Sequence, residues 1–169
     1  MDSAALRAMQ APYKDKYKSD PNAAVITLKA HGTLDESKIA CKVETGRALA
    51  VAGLHPATGG SGAELCSGDM LLEALVACAG VTLKAVATAL EIPLKSGTVR
   101  AEGDLDFRGT LGVDKEAPVG FREIRLSFDL DTDAPQDKID SLIKLTERYC
   151  VIFQTLNKPP KLGLTVNRA

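Results

Sequence analysis

The chain has 169 residues, 45% of them hydrophobic and only 4% aromatic with no Trp, so it can bury one domain-sized core built from Leu, Val, Ile and Ala. A formal net charge of −1 excludes the basic footprint of a nucleic-acid or anionic-membrane binder. Four cysteines (Cys41, Cys66, Cys78 and Cys150) in a chain with no hydrophobic leader segment point to a cytoplasmic protein with free thiols, not to a secreted disulfide framework.

Residues 1–22 read as a helical arm and linker, ahead of a single domain over 23–169. Leu6 and Met9 give the arm an apolar side against Arg7 and Gln10, and Pro12 is expected to stop the helix. "KDKYK" (14–18) is interrupted by Asp15 and reads as a solvated face. Three short strands follow, "AAVITLKA" (23–30), "KIACKVE" (38–44) and "ALAVAGL" (48–54), the last after a turn at Thr45–Gly46. Their succession predicts an antiparallel meander, with Cys41 facing the core beside Ile39 and Val43.

The Gly-rich stretch "HPATGGSGAELCSGD" (55–69) delivers the chain into "LLEALVACAGVTLKAVATAL" (71–90). Ser67 is placed to cap this helix and Asp69 to sit in its first turn, where its charge suits the helix dipole. Only Glu73, Thr82, Lys84 and Thr88 break the run of small and apolar residues. Its length suits a membrane span, but Glu73, Lys84 and the missing aromatic or basic belt favour a buried core helix. A helix that is apolar all round must be covered on every side. Ala74, Ala77, Ala79 and Gly80 would admit a second backbone, so a homodimer packed through this helix is expected.

Pro93 and Gly97 end the helix, and "TVRAEGDLDF" (98–107) and "FREIRLSFDL" (121–130) read as strands around a long polar loop. The second alternates strictly, with Ile124, Leu126, Phe128 and Leu130 on one face. Asp133 and Pro135 then open a helix whose stripe of Ile139, Leu142, Ile143 and Thr146 leads into "TERYCVIFQTL" (146–156). Pro159–Pro160 stop it, and "KLGLTV" (161–166) reads as a last strand. The order β-β-β-α-β-β-α-β defines an α+β fold around a long buried helix.

The thiols carry the candidate chemistry, although each cysteine alone reads as a small buried hydrophobe. His55, Cys66 and Cys78 lack short ligand spacing and His31 is remote, so no metal or other cofactor is expected. "TGGSG" (58–62) resembles a phosphate cradle but lacks the Lys-Ser/Thr ending and the parallel βαβ setting. No nucleophile elbow of a Ser-His-Asp hydrolase is present.

Two stretches together resemble the OsmC/Ohr family (osmotically inducible and organic-hydroperoxide-resistance proteins). "GDMLLEALVACAGVTL" matches its Gly-rich entry, Leu-Leu and Ala-Leu pairs and Cys followed by Thr-Leu; "TERYCVIFQTL" matches its second cysteine helix. The resemblance spans about Ala23 to Val166 and implies an intertwined homodimer with two central helices between sheets. It implies a thiol peroxidase of oxidative-stress defence that reduces organic hydroperoxides, with Cys78 as the peroxidatic and Cys150 as the resolving cysteine. An external dithiol would reset it, with Cys150 late on an outer helix near Arg148 and Lys158 to meet that reductant. In the family an Arg held by a carboxylate activates the thiol. Neither "HGTLDESK" (31–38) nor "HPATGGSG" (55–62) holds one, Gly68–Asp69 replaces the expected glutamate, and Val151 stands where a Pro is common. Since a desolvated thiol resists ionisation, a cation is expected near Cys78, and Arg47 and His55 are the nearest substitutes. The alternative that the same fold allows is a non-catalytic binding or structural dimer with inert thiols.

Overall fold

The computed structural model describes residues 2–19, 31–34, 40–44 and 49–168. The expected strand at 23–30 and turn at Thr45–Gly46 lie outside these residues. Helix α1 (Ser3–Ser19) comes first, followed by strands β1 (His31–Leu34), β2 (Ala40–Glu44) and β3 (Leu49–Gly53). These pair antiparallel in sequence order, Leu34 opposite Cys41 and Cys41 opposite Ala52, and the two-residue β4 (Leu65–Cys66) adds parallel to β3. The predicted strands at 38–44 and 48–54 are therefore present and antiparallel, while β1 at His31–Leu34 lies outside the three ranges read as strands. β4 runs straight into the long helix α2 (Ser67–Ala89).

Beyond α2, β5 (Ser96–Leu105) and β6 (Phe121–Asp131) form a separate antiparallel pair joined through a short helix α3 (Phe107–Thr110). Alternation decides its two faces. Arg100 pairs with Asp129, and Arg125 with Asp104 at 2.5 Å, on the outer face, while Val99, Ala101, Ile124, Leu126 and Phe128 pack inward against α2. The long polar connecting loop is folded by its charges. Arg108 reaches Asp106 at 2.6 Å and Asp114 at 3.2 Å, and the guanidinium holds the Asp106 carboxyl down to about 2.

α4 (Gln136–Tyr149) and α5 (Val151–Asn157) cover a second side of α2. The core is two clusters strung along α2. One joins Leu83, Ala87, Ile92 and Leu142; the other joins Leu75, Ala79 and Cys150. The buried positions Leu75, Ala79, Leu83 and Ala87 recur every four residues and define one stripe.

Only that stripe of α2 is buried within the chain, and Val81 is 73% exposed; one sheet and one helix layer do not enclose an apolar cylinder, as expected of a helix that one chain cannot cover. Four expectations are corrected here. By length and composition α2 would also suit a membrane span, but its stripe packs as a core helix does. Ser67 does not cap α2: Cys66 occupies the cap position with extended backbone and no side-chain cap bond, whereas Asp69 does lie in the first turn. Pro12 does not stop α1, which runs on to Ser19. Ala8 and Pro12 are exposed, so the carbonyl that proline leaves unbonded faces water. α1 also docks, burying Leu6 and holding Glu91 with Ser3 at 2.6 Å and Arg7 at 3.2 Å.

"TERYCVIFQTL" is not one helix, since the chain breaks at Cys150. "KLGLTV" is not a strand. Residues 159–168 have no regular structure, and Leu162 and Leu164 are 88% and 92% exposed. A strand needs a neighbouring edge for its N–H and C=O groups, and no edge in the described residues reaches this segment.

Candidate active site

Cys78 lies mid-helix on α2, three residues after Leu75 and one before Ala79, which puts it on the flank of the buried stripe. It is therefore half-buried and packs against the Leu75–Ala79–Cys150 cluster. Cys150 reaches the same cluster from the other side. Leu142, Thr146 and Cys150 are spaced by four along α4, and all are fully buried. At Cys150 the backbone turns extended, with φ −71° and ψ 108°. Its N–H still donates to the Thr146 carbonyl at 2.9 Å, and its carbonyl accepts the first bond of α5 from Gln154 at 2.9 Å. The break thus ends one helix and begins the next at the cysteine itself.

A helix start leaves its first N–H groups without intrahelical partners. Here those of Val151 and Ile152 face the Cys78 sulfur. Burial is the largest single influence on Cys78 and opposes its ionisation. The Ile152 N–H, the Cys150 thiol, the Val151 N–H and the Thr82 hydroxyl together outweigh it and hold Cys78 below an ordinary thiol. Cys150 goes the other way: burial pushes it up, and so does its neighbour Cys78, against the opposing Phe153 and Ile152 N–H groups. The Cys150 side chain makes no cap hydrogen bond, so these groups act on it as oriented dipoles.

The pair is consequently asymmetric, one thiol inclined to ionise and its neighbour to stay protonated. The expected cation is not among these influences. Within the described residues the groups that favour the Cys78 thiolate are N–H, S–H and O–H dipoles.

The structure brings Cys78 and Cys150 together and does not bring His55 to them. Arg47 lies outside the described residues. His55 sits at the other end of α2, lining a groove of about 360 Å³ with Cys66, Gly68, Phe107 and Phe121. Its ring stacks on Phe107 at 4.8 Å, and its Nδ1 accepts the Ala57 N–H at 3.0 Å. Cys66 precedes Cys78 by twelve residues, about 18 Å along a helix. A Cys66–Cys78 bond within one chain is excluded while α2 is intact.

Three of the five amides of "TGGSG" (58–62) are already used within the loop and are not free to cradle a phosphate. Thr58 and Gly60 donate to the His55 carbonyl at 2.8 and 3.2 Å, and Gly59 to that of Pro56 at 3.0 Å. Among the described residues no cluster of three His, Cys, Asp or Glu side chains could hold a metal ion.

Cys150 was expected at an accessible outer position, but it has no exposed surface. Arg148 and Lys158 do flank it across a shallow depression of about 410 Å³. Three residues near Cys78 escaped the sequence reading: Thr82, Val151 and Ile152. Thr82 had a usable signal in its i+4 spacing from Cys78; the other two act through the backbone, which their side chains do not encode.

Residues 60–165, well over half of the chain, match the family described as OsmC-like protein, and the chain belongs to that family. No curated protein matches the sequence. Among solved structures, the OsmC-like protein from Mycoplasma pneumoniae has 19% identity and a TM-score of 0.65, over 79% of this chain and 89% of that one. The organic hydroperoxide resistance protein from Elizabethkingia anophelis, described with crystallant-derived thiocyanate bound, has 15% identity and a TM-score of 0.63, over 80% and 91%. One from Legionella pneumophila, described as an organic hydroperoxide resistance protein OsmC and predicted redox protein, has 16% identity and a TM-score of 0.61, over 80% and 92%. These likenesses establish the OsmC-like α+β fold.

Proposed function

We propose that the protein is a thiol-dependent peroxidase that reduces organic hydroperoxides to alcohols, with Cys78 peroxidatic and Cys150 resolving. The observation that carries this reading is the asymmetric thiol pair at the α4–α5 break. The Cys78 thiolate attacks the distal oxygen of the hydroperoxide, and the O–O bond breaks. The departing alkoxide takes a proton to become the alcohol, leaving Cys78 as a sulfenic acid. The Cys150 thiol then attacks that sulfur and expels water, forming a disulfide. An external dithiol restores both thiols by exchange and is itself oxidised to a disulfide. A groove of about 500 Å³ adjoins the cysteine cluster through Leu75 without including either sulfur, and its Ile124, Leu126, Phe153 and Leu156, beside the polar Arg122 and Glu123, suit an alkyl or fatty hydroperoxide better than hydrogen peroxide. This cycle suits a reducing cytoplasm.

One equivalent of cumene hydroperoxide should yield a Cys78–Cys150 disulfide by non-reducing peptide mapping. Recovery of both thiols free, with the peroxide unconsumed, would reject the peroxidase in favour of an inert dimer.

The open side of α2 supports the homodimer. Of the small residues expected to admit a second backbone, Ala79 is buried in the chain's own core and Gly80 faces Val99. Ala74 and Ala77 are exposed, and with Leu71 and Val81 they make an apolar stripe beside Cys78. A second copy of α2 on that stripe would close the cleft over the thiol. Sedimentation should give about twice 17.9 kDa, and Val81→Glu should shift the protein toward monomer. A parent protein that sediments as a monomer at micromolar concentration removes the dimer.

A further inference from the structure

Two cavities meet beside the thiol pair. The groove of about 500 Å³ is walled, where it adjoins the cysteine cluster, by Leu126 and Phe153. A second cavity, of about 230 Å³, is lined by the same two side chains and also by Thr146, Glu147 and Cys150. Leu126 and Phe153 therefore stand between the two. They come from opposite walls, Leu126 from the inner face of β6 and Phe153 from the first turn of α5. Both pack on the cluster of Leu75, Ala79 and Cys150, where Cys78 packs as well. Phe153 is the third residue after the break, so the helix restart at Cys150 fixes where its ring falls. Cys150 borders the second cavity yet keeps no exposed surface.

We infer that Phe153 is a specificity-determining residue: its ring closes the inner end of the substrate groove and keeps the alkyl group out of the cavity beside Cys150. The specificity rests on the peroxidase reading above; the partition between the two cavities does not. A hydroperoxide at the end of a chain has one alkyl arm, which the groove holds. A hydroperoxide in mid-chain has a second arm, which must pass the ring when the O–O bond is brought to Cys78. The ring thus discriminates by where the hydroperoxide sits along the chain. It also shields the Cys150 thiol from reagents that enter through the groove.

Phe153→Ala in the full-length protein joins the cavities and tests both consequences. The probes are n-octyl hydroperoxide and its mid-chain isomer, which have the same composition and differ in where the hydroperoxide sits. The ratio of their kcat/KM values should shift by about tenfold in favour of the mid-chain isomer. A purely structural loss would lower both rates alike and leave the ratio in place. Labelling of reduced Cys150 by N-ethylmaleimide, followed by peptide mass spectrometry well below the thermal transition, should rise about tenfold as the thiol becomes accessible. Phe153→Tyr, which keeps the ring, should leave the ratio and the labelling near the parent values.

Unchanged Cys150 labelling in folded Phe153→Ala overturns the inference, whatever the peroxidase assay gives. Raised labelling with an unshifted ratio overturns the part of the ring in specificity. Raised labelling in a protein whose parent consumes neither isomer supports the partition and overturns the peroxidase reading instead. Should Phe153→Ala fail to fold by circular dichroism, Phe153→Leu carries the same comparison.

Discussion

Cys78→Ser is expected to abolish hydroperoxide consumption, while Cys150→Ser retains a single turnover. The difference follows from the environments of the two sulfurs. Serine cannot form the thiolate, and its alkoxide is inaccessible at neutral pH, so the O–O bond finds no nucleophile at position 78. Cys150 cannot substitute. It has no exposed surface, and its ionisation is opposed by burial and by Cys78. In Cys150→Ser the first step proceeds and stops at a Cys78 sulfenic acid. Because Cys78 is only half-buried, further peroxide then converts it to sulfinic acid. Stopped-flow loss of cumene hydroperoxide, with dimedone labelling of the sulfenate, separates the variants. Comparable peroxide loss in Cys78→Ser and the parent would falsify the assignment of the peroxidatic role.

In the proposed cycle, turnover also depends on where the reductant enters. With Cys150 buried, the disulfide sulfur open to an incoming dithiol is that of Cys78. Exchange there expels Cys150, the poorer leaving group, so access and leaving-group acidity oppose each other. The expectation that Cys150 meets the reductant rested on its place on an outer helix near Arg148 and Lys158, and neither says which side of that helix faces the core.

What was legible in the sequence follows the same division. Strict alternation at Ile124, Leu126, Phe128 and Leu130 gave β6 and its inner face because period-two burial is a property of the strand alone. The two cysteine helices were legible for a similar reason, as each carries its apolar stripe in its own residues. The break at Cys150 was not. No Gly or Pro marks it, and continuous helical periodicity runs through "TERYCVIF"; the extended backbone at Cys150 belongs to the packing of its buried side chain against α2.

The donors around Cys78 were illegible for the same reason. Reasoning from side chains calls for a cation, whose candidate Arg47 lies outside the described residues, whereas the Val151 and Ile152 N–H groups exist as free donors only because the helix restarts there. "KLGLTV" failed differently. Its Leu-x-Leu-x-Val alternation is sound strand grammar, yet within the described residues the segment has no edge to pair with, and its apolar side chains stand in solvent.

Leu142→Ala is expected to cost about 2–5 kcal/mol of stability, against a total of about 5–15 kcal/mol for a domain of this kind. Leu142 is among the largest side chains with no exposed surface, and it joins α4 to Leu83, Ala87 and Ile92. Phe128 and Leu130 from β6 close the same cluster, so truncation leaves a cavity walled by a sheet and two helices that cannot all move inward. At fixed protein concentration the Tm should fall by roughly 4–20 °C. The thiol pair belongs to the other cluster, with Leu75 and Ala79. Below the transition, Cys78 alkylation in Leu142→Ala should therefore keep the parent pH profile, whereas Leu75→Ala should lose stability and disturb that profile together. A Leu142→Ala protein within about 1 kcal/mol of the parent would mean that α4 is not anchored where this cluster places it.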